Sequence, residues 1–89
     1  MTFANKIARS MQDLTFKWLN GENQSEIIAD GAFQIAKEIY QGAKIKGPRY
    51  EVIEDIAADI EEFLTGCRFE SVGLDDYYRL YDSIVCKYI

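Results

Sequence analysis

Ile53-Glu54-Asp55-Ile56-Ala57-Ala58-Asp59-Ile60-Glu61-Glu62-Phe63-Leu64 is the stretch that decides the fold class of this chain. Ile53, Ile56, Ala57, Ile60, Phe63 and Leu64 recur at spacings of three and four, so they form one stripe of a helix. Glu51, Asp55, Asp59 and Glu62 fall on the opposite face at spacings of four, four and three. Gly66 supplies a C-terminal stop. Gly47-Pro48, with the only proline of the chain, marks the break before this helix, which is expected to begin near Tyr50 or Glu51.

The flanking segments carry the same period. In the N-terminal one, Phe3, Ile7, Met11, Leu14 and Trp18 share a face, and Asn20-Gly21-Glu22-Asn23 ends it in turn chemistry. Phe16 points away from that stripe, as a rim residue or a partner anchor would. Ser25 is the expected N-cap of the next helix, with Glu26 placed to suit its dipole. Ile28, Ala32, Ile35, Ile39 and Ala43 form one stripe, and Ala29, Phe33, Ala36 and Tyr40 a second beside it. So wide a face implies a central helix. Gly31 and Gly42 are costly inside a helix, and close helix–helix contact or end fraying accounts for them. After a loop over Cys67–Gly73, acids at Asp75 and Asp76 open a last helix with Tyr77, Leu80, Tyr81, Ile84 and Tyr88 at helical spacing. Ser83–Ile89 is also rich in strand-formers, but a lone strand has nothing to pair with. The expectation is one all-α domain over residues 1–89, a bundle of about four helices around Trp18, Phe33, Ile35, Ile39, Ile56, Ile60, Phe63, Leu80 and Ile84.

Composition removes most chemistries. Histidine is absent, and with it the commonest general base near neutral pH, Ser–His and Cys–His nucleophile pairs, and the usual zinc sites. No glycine-rich phosphate loop is present, and the carboxylates lack calcium-loop spacing. No enzyme, cofactor or metal is therefore expected. Cys67 and Cys86 suit free thiols in a reducing compartment. Without a signal-like leader or an apolar run of membrane-spanning length, the chain reads as soluble and cytoplasmic.

Charge is distributed unevenly. Residues 1–50 carry seven bases and five acids, a net of +2, whereas residues 51–89 carry ten acids and three bases, a net of −7. The run from Glu51 to Glu62 holds Glu51, Glu54, Asp55, Asp59, Glu61 and Glu62 without a cation. Such a field repels nucleic acid and membrane surfaces and attracts basic proteins. A small basic cluster, Lys37, Lys44, Lys46 and Arg49, reads as ordinary cations near a helix C-terminus. Asp75, Asp76, Tyr77, Tyr78, Arg79, Tyr81 and Asp82 combine an acidic rim with residue types common at binding hot spots.

Phe69-Glu70-Ser71-Val72-Gly73-Leu74-Asp75-Asp76 looks like the loop of acyl carrier proteins, but Asp76 stands where that family has its prosthetic-group serine, so carrier function is not expected. A broader resemblance, over roughly residues 14–88, is to immunity proteins of nuclease bacteriocins, particularly those against transfer-RNA-cleaving colicins. It rests on Leu19-Asn20-Gly21, the Ile53–Leu64 helix, Arg68-Phe69-Glu70 and the acid-led last helix. This resemblance implies a small acidic helical protein that blocks a basic nuclease. Phage inhibitors, including anti-CRISPR and host-takeover proteins, share the same general properties. The expected function is non-enzymatic inhibition of a basic nuclease or nucleic-acid-binding protein through Glu51, Glu54, Asp55, Asp59, Glu62, Asp75, Asp76, Tyr78 and Asp82, by a monomer or homodimer that contacts neither nucleic acid nor membrane. The competing expectation is a structural or assembly subunit, with Phe16, Tyr50 and Tyr78 as its interface aromatics.

Overall fold

The computed structural model describes residues 2–21, 24–66 and 73–88. Four helices, α1 (Phe3–Asn20), α2 (Gln24–Gly42), α3 (Arg49–Gly66) and α4 (Leu74–Tyr88), pack as an all-α bundle. The Cα radius of gyration is 12.3 Å, close to the ~12 Å that one packed body of this length requires. The periodic apolar stripes explain why: each helix has one face to bury, and its two neighbours around the bundle provide most of the cover. Residues 83–88 are helical, so the strand alternative falls away.

Local chemistry fixes the helix ends. Thr2 caps α1, its Oγ1 accepting from the Asn5 amide at 3.2 Å. Ser25 lies within the first turn of α2 rather than at its cap, because the helix already begins at Gln24. Likewise α3 starts at Arg49, one residue before the expected limit; the Pro48 carbonyl accepts the Val52 amide and so carries the first turn. The C-terminus of α2 closes with two reverse bonds, Lys44 N–H to Gln41 O and Ile45 N–H to Tyr40 O, around a left-handed Lys44 (φ 54°). Gly47 (φ 123°) then turns the chain, and its carbonyl accepts the Tyr40 hydroxyl at 2.8 Å. Cys67, Arg68-Phe69-Glu70 and the acyl-carrier-like segment up to Val72 lie outside the described residues, while Cys86 is a free, exposed thiol.

Helix directions follow from the facing residues. Leu14 meets Gly31 and Phe3 meets Gly42, so α1 and α2 run antiparallel. A Cβ at either glycine would overlap those side chains, which makes close approach, rather than fraying, the reason for both. The Phe63–Tyr77 ring contact and the Asp59–Lys87 ion pair set α3 antiparallel to α4. Ile7, Met11, Ile35, Ile39, Ile56, Ile60, Leu64 and Ile84 form the centre of the core. Trp18, Phe33, Phe63 and Leu80, expected there, sit half-buried around it. Ala29, placed on the second stripe of α2, is exposed. Four buried residues carry no sequence-level expectation: Ala8, Ile45 in the α2–α3 connection, Val52, and Thr15.

Candidate protein-binding surface

Helix α3 presents the carboxylates. Its inward stripe, Val52, Ile53, Ile56, Ala57, Ile60 and Leu64, is buried, which leaves Glu51, Glu54, Asp55 and Glu62 exposed along the outside. Glu51 to Glu62 span about 17 Å of axis at ~1.5 Å per residue. Among the described residues these four carboxylates form no ion pair. Asp59 differs: half-buried at the edge of the face, it lies 3.4 Å from Lys87 Nζ of α4. That contact, first through its hydrogen bond and then through charge, raises the Lys87 pKa, with Asp55 adding to the effect. The carboxylates point outward along the helix rather than converge. Among the described residues no group of three or more His, Cys, Asp or Glu side chains is placed to hold a metal ion.

The residues expected from α4 divide into separate roles. Asp76 accepts the Gly73 amide on Oδ2 at 2.8 Å, while its own amide donates to the Gly73 carbonyl at 3.1 Å. This is a capping interaction, so Asp76 has a structural use at the helix start. Asp75 and Asp82 are exposed. Tyr78 is half-buried and packs against the core. It lies about 160° around α4 from Leu80 at 3.6 residues per turn. Since Leu80 faces α3, Tyr78 sits on the flank turned away from the acidic face. The structure thus gathers Glu51, Glu54, Asp55, Asp59 and Glu62 into one surface and leaves Tyr78 and Asp82 on another.

Two grooves border these helices. One, of about 510 Å³, runs between α3 and α4 and is lined by Asp59, Glu62, Phe63, Leu80, Ser83 and Lys87, with Ile84 at its base and Gly66 at one end. The other, of about 530 Å³, lies between α1 and α2, where Asp13, Lys17, Asp30 and Glu38 surround Leu14 and Gly31. No sequence pattern pointed to this second acidic concentration, because its members belong to two helices and neither contributes a run. Two of the basic residues near the α2–α3 connection are engaged with aromatic rings: Lys37 lies 5.3 Å from the Phe33 centroid and the Arg49 guanidinium 5.6 Å from that of Tyr40.

Fold and surface together define a four-helix bundle with one densely acidic helix face. No known protein family, curated protein or solved structure matches the chain. Among the described residues, no helix is long and apolar enough to cross a membrane.

Proposed function

We propose that this protein is a non-enzymatic inhibitor whose α3 face occupies the cationic nucleic-acid site of a basic partner, in the manner of an immunity protein or antitoxin. The observation that carries this reading is the row of exposed carboxylates Glu51, Glu54, Asp55 and Glu62, held on a rigid helix with no cation paired to them among the described residues. Their span of about 17 Å matches the length over which one strand of a duplex presents about five phosphates at ~3.4 Å each. Like charges at i and i+4 on one helix cost stability, so a partner that neutralises them gains in proportion. The resemblance to nuclease-bacteriocin immunity proteins fits the same reading, as do phage anti-CRISPR and host-takeover inhibitors. Cytoplasmic residence follows from it, because the nucleases concerned act there.

The test is a pull-down from cells of the source organism or its competitors, followed by kinetics with the recovered partner. A basic nuclease or nucleic-acid-binding protein should be captured, and its DNA or RNA should compete. Neutralising Glu51, Asp55, Asp59 and Glu62 together should slow association, most at low salt, because ions at 0.1 M already screen exposed charges beyond about 10 Å. An unchanged association rate at low ionic strength rejects the acidic-face mechanism.

A second reading draws on a different observation. Phe16, Leu19 and Tyr50 are 55%, 41% and 71% exposed, which suits a subunit that buries aromatics in an assembly. Light scattering separates the two: a stable dimer or larger assembly at micromolar concentration favours the subunit, and a monomer favours the inhibitor.

A further inference from the structure

We infer that the α3/α4 groove is the anchor point of this surface, and that it takes a basic segment of the partner in which one aliphatic side chain stands between lysines or arginines. The inference rests on the inhibitor reading above and makes it specific. Of the neighbouring helix pairs, α3 and α4 pack least closely, and the seam between them is the groove of about 510 Å³. Its floor is apolar, from half-buried Phe63 and Leu80 over buried Ile84. Phe63 is held edge-on against Tyr77 at 5.9 Å, and Tyr77 is bonded to Thr15 of α1, so the floor is fixed from behind by a third helix. Asp59 and Glu62 line the α3 side, and the exposed Asp55 lies one turn back on the same helix. Along α3 the groove runs about 10 Å, from Asp59 to Gly66, the length of one anchor and its neighbours.

Charge selects the occupant. An aliphatic side chain satisfies the floor, and flanking cations reach Asp59, Glu62 and Asp55. Lys87 already occupies part of this position: its Nζ lies 3.4 Å from Asp59 Oδ2 across the groove. An incoming lysine or arginine therefore displaces Lys87 from Asp59, making Lys87 an internal competitor. An acidic or purely polar segment gains nothing from either feature. Tyr78 and Asp82, on the far flank of α4, take no part.

The experiment uses the whole chain and synthetic peptides of about ten residues: one leucine flanked by lysines, the same peptide with serine for leucine, and an acidic counterpart. Binding is followed by NMR at low salt. The leucine peptide should shift resonances of Phe63, Leu80 and Ser83 and bind roughly tenfold more tightly than the serine peptide, the worth of burying one such side chain. Ser83→Trp, at an exposed position that fills the groove without touching the core, should abolish that preference. Lys87→Ala should tighten binding more than Lys6→Ala, an equal charge change on exposed α1. Equal binding of the leucine and serine peptides, or indifference to Ser83→Trp, overturns the groove as anchor. The acidic-face reading then survives or falls by the separate charge-neutralisation kinetics. A dimer that Ser83→Trp dissociates assigns the groove to a second copy and likewise overturns the proposal.

Discussion

The Tyr77 hydroxyl donates to Thr15 Oγ1 at 2.8 Å, joining α4 to α1 across 62 positions of sequence in the buried interior. The Thr15 hydroxyl in turn donates to the Met11 carbonyl at 2.9 Å. Its hydroxyl is thereby both donor and acceptor at 4% exposure, which explains a polar group in an aliphatic core. Tyr77→Phe should cost about 1–2 kcal/mol, the net worth of a buried hydrogen bond with an unsatisfied acceptor left behind. Thr15→Val should be strongly non-additive with it, with a coupling of roughly 0.5–1.5 kcal/mol. Denaturant unfolding of the two single variants and the double checks this; simple additivity means the hydroxyl pair contributes nothing.

Gly31 lets α2 approach the Leu14 side chain. Gly31→Ala gains up to ~1 kcal/mol of helix propensity, but the new methyl overlaps Leu14, which is buried and has little room to turn away. Overpacking of this kind costs about 1–3 kcal/mol. The net expectation is a lower midpoint of denaturation, recovered when Leu14→Val accompanies it. A more stable Gly31→Ala single variant would show that the α1–α2 interface accommodates the methyl.

How much of this was legible beforehand depends on whether the signal is local. Each helix announces itself because its apolar residues repeat over fifteen residues or more, and the α3 acidic face is legible for the same reason. Ile45 was not, since it lies between helices and is buried by the bond pattern that closes α2. Thr15 reads as an indifferent helix residue until Tyr77 is placed opposite it. Tyr78 reads with the neighbouring acids because tyrosine is common at binding hot spots, but which flank of α4 it occupies shows only once α4 is set against α3. The α1/α2 acidic groove and the α3/α4 groove each need two helices, so no single segment encodes them.

Lys44 holds a left-handed conformation that a side chain makes costly. The bonds from Lys44 and Ile45 that close α2 use only backbone atoms, so glycine can replace lysine without losing them. Lys44→Gly should stabilise the fold by roughly 0.5–1 kcal/mol, less what it adds to unfolded-state entropy. Thermal denaturation decides. A clear loss of stability would mean that the lysine side chain holds the turn.

Asp55 lies one turn from both Glu51 and Asp59, and it is exposed without an ion pair among the described residues. Asp55→Asn removes two like-charge i,i+4 contacts and should raise stability by about 0.5 kcal/mol, or ~2–4 °C. The gain should shrink as salt is added. Association with a basic partner should move the other way and slow down. A lower melting temperature would indicate an intramolecular use for this carboxylate and weaken its assignment to binding.

Tyr81 and Tyr88 make the fold sensitive to alkali. Burial raises the pKa of Tyr81 above its ordinary 10.0, with the Asp82 charge adding to it. Burial also raises Tyr88, opposed by Lys87 and reinforced by Asp55 and Asp59. Both phenols hold their protons more tightly folded than unfolded. Their contribution is therefore complete below the unfolded value of about 10 and is lost as pH rises from there through the folded values. Lys87, also raised, acts in the same direction. Melting temperature should fall above pH ~10, and Tyr81→Phe or Tyr88→Phe should each shallow that fall. The Tyr88 hydroxyl is buried with no hydrogen-bond partner among the described residues. Tyr88→Phe should consequently be neutral or stabilising at pH 7. Absorbance of tyrosinate provides the control: if all six tyrosines ionise near pH 10 while circular dichroism stays native, neither phenol is protected by the fold.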